Sequence, residues 1–137
     1  MRLATLLACV LLYAPATAAR QQLDTLTPQQ AISRAAAASP KPLRAVFQFR
    51  VQRAAKARGG YYLDSEKDFH SATNLGVAIR ASAVPGLTAK YGEDLKAALV
   101  GKTIKVIGQV RRKPVARGTA TATEVEVTHA GQILSAS

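Results

Sequence analysis

Two groups of cations carry the chemistry that this sequence offers most openly. Arg50, Arg53, Lys56 and Arg58 crowd one short stretch, and Arg111, Arg112, Lys113 and Arg117 crowd another. Two basic clusters with a groove between them would follow a phosphate backbone, with an affinity that falls steeply as salt rises. The plainer alternative is a pair of solvated hairpin tips whose charges blunt aggregation. Tyr62 and Arg80 belong with these cations as ligand contacts, because both fall on outward positions of strand patterns. Base stacking wants exposed aromatic platforms, and Tyr62 is the one predicted to face outward on its strand. Its outward neighbours Asp64 and Glu66 would repel phosphate.

Asp64, Glu66, Asp68 and His70 form an alternating run that lies on one face if the chain is extended. Carboxylate oxygens and an imidazole could hold a cation. The spacing completes no metal motif, since Phe69 and Leu75 stand where a calcium loop needs glycine and a bidentate glutamate. Pairing with nearby arginines, or capping of a loop, is the better use of these acids. Catalysis has no filled roles: no serine sits in a G-x-S-x-G context, His70 and His129 have no partner fixed by spacing, and there is no glycine-rich phosphate loop. The expectation is a protein that is not an enzyme, with no catalytic residue, no metal and no cofactor.

The chain of 137 residues opens on Arg2, an apolar run from Leu3 to Tyr13, and Ala16-Thr17-Ala18. That is a secretory signal pattern with an A-x-A cleavage site, and the run is too short to span a bilayer. Residues 1–18 are therefore expected to be removed, with the mature protein periplasmic or secreted and without an integral membrane span. Cys9, the one cysteine, would leave with the leader, so a packed core rather than a disulfide must hold the fold. Nineteen Lys and Arg face eight Asp and Glu, for a formal charge of +11, and loss of Arg2 lowers it by one. Such a field attracts polyanions.

Residues 19–42 hold a short helix and a linker. Thr27 caps, Pro28 suits the first helical position and Gln30 completes a capping box. Leu26, Ile32 and alanines form a thin apolar face, and Ser39-Pro40-Lys41-Pro42 ends the helix. Residues 43–137 read as one β domain. Strand one runs from Leu43 to Gln52 with Phe47 and Phe49 inward. A basic stretch, Arg53 to Arg58, leads to a Gly59-Gly60 hairpin. Strand two covers Tyr61 to Glu66, and Lys67 to Asn74 is a loop. Strand three covers Leu75 to Ala81, with Leu75, Val77 and Ile79 on one face, and Pro85-Gly86 breaks it. A helix from Glu93 to Val100 presents Leu95, Ala98 and Leu99. Strand four, Thr103 to Arg111, turns Ile104, Val106 and Val110 inward, and Gly108 marks a bulge or tight bend. A second basic loop runs through Arg117-Gly118, and strand five is Thr121 to His129.

That order, β-β-β-α-β-β, resembles an OB-fold protein over about residues 43 to 134. Gly101-Lys102 followed by Ile104, Val106, Gly108 and Val110 is similar to the family's fourth strand. The stretch Leu63-Asp64-Ser65-Glu66-Lys67-Asp68-Phe69, with Asn74-Leu75 and Val77-Ala78-Ile79 after it, is similar to a group of exported bacterial OB-like proteins that brings no assigned function. The resemblance implies an all-β fold with minor α, a five-stranded Greek-key barrel preceded by a short helix. It also implies that the two basic loops flank a ligand face. The connection around Ala116 to Ala122 is short and without aromatic residues, which departs from loops that stack a ligand. The functional expectation is an exported, non-catalytic binding module for single-stranded nucleic acid or an acidic glycan. An envelope module that docks a protein partner comes second, and a metal-dependent enzyme third.

Overall fold

The computed structural model describes residues 22–115 and 121–137. The expected leader and Arg117 lie outside them. Eight strands and three α-helices occur among the described residues: β1 (Thr25–Leu26), α1 (Pro28–Ala38), β2 (Leu43–Arg50), β3 (Arg53–Ala57), β4 (Gly60–Asp64), β5 (Leu75–Ile79), α2 (Val84–Tyr91), α3 (Leu95–Leu99), β6 (Thr103–Pro114), β7 (Thr121–Val127) and β8 (Ile133–Ala136). The strands form one mixed sheet in the order β1-β2-β6-β7-β5-β4-β3, with β8 on the side of β6. The β1–β2 and β5–β7 pairs are parallel and the others antiparallel. The fold is thus mostly β with a few helices, as expected, but it has eight strands rather than five.

The extra strands have local causes. The first expected strand and the basic stretch after it are two strands, because the chain changes partners at residues 51 and 52. The N–H of Val51 donates to Lys102 O at 2.8 Å, while that of Gln52 donates to Asp64 O at 2.9 Å. β2 therefore pairs with β6 and β3 with β4. Arg53 and Lys56 are strand residues, not loop residues. β6 likewise runs on through Pro114, so Arg111, Arg112 and Lys113 are also on a strand. β1 and β8 are short edge segments whose sequences carry too few residues to show a period.

Helix α1 is capped as its sequence dictates: Gln30 N–H donates to the Thr27 hydroxyl at 3.3 Å, and Thr27 N–H donates to Gln30 Oε1 at 3.0 Å. Its buried face is Ala31 and Ala35, with Ile32 only half-buried. Small residues let the helix close onto β2 and β6. Pro85 lies past the end of β5 and does more than stop a strand. It sits in the first turn of α2, where its missing N–H has no partner to lose. The helix expected at Glu93 to Val100 is the shorter α3, started by Asp94, whose carboxylate accepts from Ala97 N–H at 3.1 Å.

The inner face follows the period-two reading. Phe47, Phe49, Val77, Ile79, Ile104 and Val106 are all buried, joined by Leu63, Leu75, Val110, Val125 and Val127. Gly108 is not a bulge in the β2–β6 pair, whose register runs through Ala45 and Gly108 unbroken. It makes room for Gln132. A Cβ there would stand 3.1 Å from Gln132 Nε2 and from Val125 Cγ1. The buried Gln132 amide fills the gap where β7 parts from β6. It donates to Ile107 O at 3.0 Å and Glu126 O at 2.9 Å, and accepts from Thr128 N–H, the Thr128 hydroxyl and His129 N–H. Backbone groups left unpaired by the parting strands would each cost about 1–3 kcal/mol, which is why a polar side chain is buried here.

Candidate functional site

Adjacent strands on the outer face bring five side-chain positions into one row: Arg53 of β3, Asp64 of β4, Gly76 of β5, Glu124 of β7 and Arg111 of β6. The next row holds Ala55, Tyr62, Ala78 and Glu126. Side chains at these positions share a face because the strand repeat is two residues. The floor is low, since Ala55, Gly76 and Ala78 are small. Above it lies a groove of about 900 Å³, which reaches from Lys56 on one side to Lys113 on the other and is bordered by Tyr62, Phe69, His70 and Arg80. A smaller cleft of about 370 Å³ lies beside the β3–β4 turn.

The rim at Phe69 and His70 is built by the loop between β4 and β5. Asn74 is the pin of that loop. Its Nδ2 donates to Asp64 Oδ1 at 3.0 Å and to Phe69 O at 3.4 Å, while its Oδ1 accepts from Glu66 N–H at 3.1 Å. Ser65 Oγ accepts from Leu75 N–H at 2.8 Å, closing the loop at its base. Asp68 accepts from His70 N–H at 2.9 Å, and Glu66 accepts from the Thr73 hydroxyl at 2.8 Å. The acidic run is therefore not extended along one face. Each acid is a hydrogen-bond acceptor of the loop, and no group of three metal-ligating side chains occurs among the described residues.

Phe69 is 46% exposed and Tyr62 is 37% exposed. The Arg53 guanidinium lies 4.3 Å from the Phe69 ring centroid, and the His70 ring lies 3.9 Å away on an inclined plane. Arg53 also donates to Asp64 Oδ2 at 2.8 Å. It thus carries a buried carboxylate on one side and an aromatic ring on the other, a cation–π arrangement that ties the ring to the rim.

The expected ligand cations divide into two sets. Arg53, Arg80 and Lys113 are engaged with carboxylates. Arg80 Nε donates to Glu126 at 3.1 Å and its Nη2 stands 3.8 Å from Glu124, which Lys113 Nζ also reaches at 2.9 Å. The hydrogen bond with Glu126 holds the Arg80 guanidinium above its ordinary value, so it stays charged. Arg50, Lys56, Arg58, Arg111 and Arg112 are exposed and have no carboxylate within 4.0 Å among the described residues. Arg112 instead donates to the Thr121 hydroxyl at 2.7 Å.

The two basic clusters do not project from one end of the sheet. Ala57 pairs with Gly60 beside Ile79, whereas Pro114 pairs with Thr121 beside Leu75, so the clusters stand at opposite ends of the strands. Lys56 from one and Lys113 from the other nevertheless border the same groove. Arg50 ends β2, opposite Thr103, and does not line it, nor do Arg111 and Arg112, while Arg58 lines the smaller cleft instead. Phe69, His70, Asn74 and Glu124 were not among the residues expected at the site. Phe69 had a readable signal, a large apolar residue in a polar loop with no periodic neighbour to draw it into a core.

No family model matches the chain, and no curated protein matches it. Among solved structures, an aspartyl tRNA synthetase from Entamoeba histolytica is similar over 64% of this chain and 17% of its own, with 15% identity and a TM-score of 0.39. A chain from Leishmania major Friedlin described as an aspartyl-tRNA synthetase is similar over 88% of this chain and 22% of its own, with 9% identity and a TM-score of 0.48. The chain spans less than a quarter of the length of either.

Proposed function

We propose that this chain is an exported, non-catalytic binding module whose groove takes single-stranded nucleic acid on an OB-like barrel. The barrel reading is supported by the run from β2 into β3, which hands one strand from β6 at residue 51 to β4 at residue 52. The observation that carries the function is the exposure of two aromatic rings, Tyr62 and Phe69, in one groove bordered by Lys56, Arg80 and Lys113. Bases stack on such rings while cations at the rim meet the phosphates. An acidic glycan fits less well, because its charged groups are carried on the sugar rings themselves and would meet Asp64 and Glu124 on the floor.

A fluorescein-labelled single-stranded 12-mer, titrated at several salt concentrations, tests this reading. Phe69→Ala should weaken binding roughly tenfold or more, the loss of one stacking platform. Lys56→Gln with its neighbour Arg58→Gln, and separately Arg111→Gln with Arg112→Gln on the strand that carries Lys113 to the groove, should each flatten the logarithmic salt dependence by about 0.7 per lost phosphate contact where the nucleic acid runs past the groove's ends. These cations have no internal carboxylate, so their removal leaves no orphaned acid. Arg34→Gln with Lys41→Gln is the control for diffuse charge. Equal weakening by the control and by both pairs would overturn the groove as a site.

Export rests on Arg2, the run from Leu3 to Tyr13 and Ala16-Thr17-Ala18. N-terminal sequencing of exported protein should begin at Ala19, and a secreted chain still starting at Met1 would refute the leader.

A further inference from the structure

We propose that Glu124 is a base-reading residue of the groove and selects nucleotides whose base edge presents an exocyclic amino group, cytosine before uracil. The proposal rests on the groove being a single-stranded nucleic-acid site, and it adds a discriminating contact that the rim cations cannot supply. Phosphate contacts set register but carry no sequence information.

Glu124 lies mid-floor, in register between Gly76 and Arg111. Its side chain is 14% exposed and held from two directions by Lys113 and Arg80. Both cations approach Oε1, and no described residue hydrogen-bonds to Oε2. Asp64 across the floor differs, because Asn74 takes one of its oxygens and Arg53 the other. Glu124 therefore offers the floor a fixed carboxylate oxygen with acceptor capacity left. Gly76 stands between the two acids with no side chain, about 10 Å separating their strands, so a flat ring can lie over bare backbone with its edge toward Glu124.

A carboxylate accepts from the cytosine amino group. Uracil has an oxygen at that ring position, and its single N–H lies between two carbonyl oxygens that repel the carboxylate. The edges are available because a single strand leaves its pairing faces open. Both bases are pyrimidines, so stacking on Tyr62 and Phe69 changes little between them.

The test compares labelled 12-mers of deoxycytidine and deoxyuridine at one salt concentration. The parent protein should bind the cytidine 12-mer about fivefold tighter or more, the lower end of what a base-edge contact supplies. Glu124→Gln keeps the shape and removes the charge. It should bring the ratio close to one while raising the affinity for both oligomers, since Lys113 is released toward phosphate while Arg80 keeps Glu126. Gly76→Ala should weaken both by raising the floor. Its Cβ would meet Asp64 Oδ1 at 3.5 Å and Thr123 O at 3.8 Å, ordinary contacts that the fold accepts. A cytidine preference that survives Glu124→Gln, or equal binding of both oligomers by the parent, overturns the role of Glu124 and leaves the groove standing. Failure of both oligomers to bind any of the proteins overturns the groove reading and this inference together.

Discussion

Gly60→Ala should destabilise the fold by about 4 kcal/mol or more, the range reserved for a change the structure cannot absorb. Gly60 opens β4 where that strand passes Ile79 of β5. A Cβ at this position would stand 1.9 Å from Ile79 O and 3.0 Å from Ile79 C. The obstacle is main chain in a buried strand, not the end of a flexible side chain, so relief needs β4 and β5 to move apart. That movement would break the pairing that sets Tyr62 beside Ala78 and would widen the groove floor. Urea unfolding of Gly60→Ala, with Gly76→Ala beside it, separates this cause from a general cost of adding a methyl group to the sheet. Gly76→Ala should remain close to the parent. A Gly60→Ala protein as stable as the parent would mean that β4 does not pass β5 this closely.

Phe47→Ala should cost about 3–5 kcal/mol, the loss expected when a large aromatic side chain leaves a packed core. Phe47 has no exposed surface and sits on β2 opposite Val106 of β6. The sheet closes over it from both sides, with Leu26 of β1 in register beside it, and little can collapse into the space. Gln48→Ala is the matched control on the outward side of the same strand, and it should change stability by less than about 0.5 kcal/mol. Thermal or chemical unfolding of the two variants gives the comparison. Equal effects would mean that the faces of β2 are exchanged, because a slip of one residue moves every side chain to the other side of a sheet.

What could be read from the sequence was local or periodic. The cap of α1 needs only Thr27 and Gln30, three residues apart, so no distant partner can alter it. The inner face of β2, β5, β6 and β7 follows from alternation, because burial of one face enforces a period of two. The glycine pair at 59–60 announced a turn, and Gly59 indeed takes a φ of +78° there, while the tight approach of Gly60 to Ile79 belongs to packing and left no mark. Pro85 marked the end of a strand but not the helix α2 that it opens, because proline does both and the flanking residues do not say which.

A basic β chain with a capped N-terminal helix, an apolar inner face and two clusters of cations is legible along the chain. Which cations are available, and where the aromatic rim lies, follows from how the strands pair in space. Arg53, Arg80 and Lys113 look the same in sequence as Lys56, Arg58 and Arg111. They differ because sheet register brings Asp64 and Glu124 against Arg53 and Lys113 from the next strand of the chain, and Glu124 and Glu126 against Arg80 from a distant one. Phe69 faces the groove because Asn74 and Asp64 fold its loop back onto Arg53. Charge and periodicity are properties of neighbouring residues and can be read along the chain. Neutralisation and exposure depend on groups within a few ångströms in space, and which groups those are is set only when the strands pair.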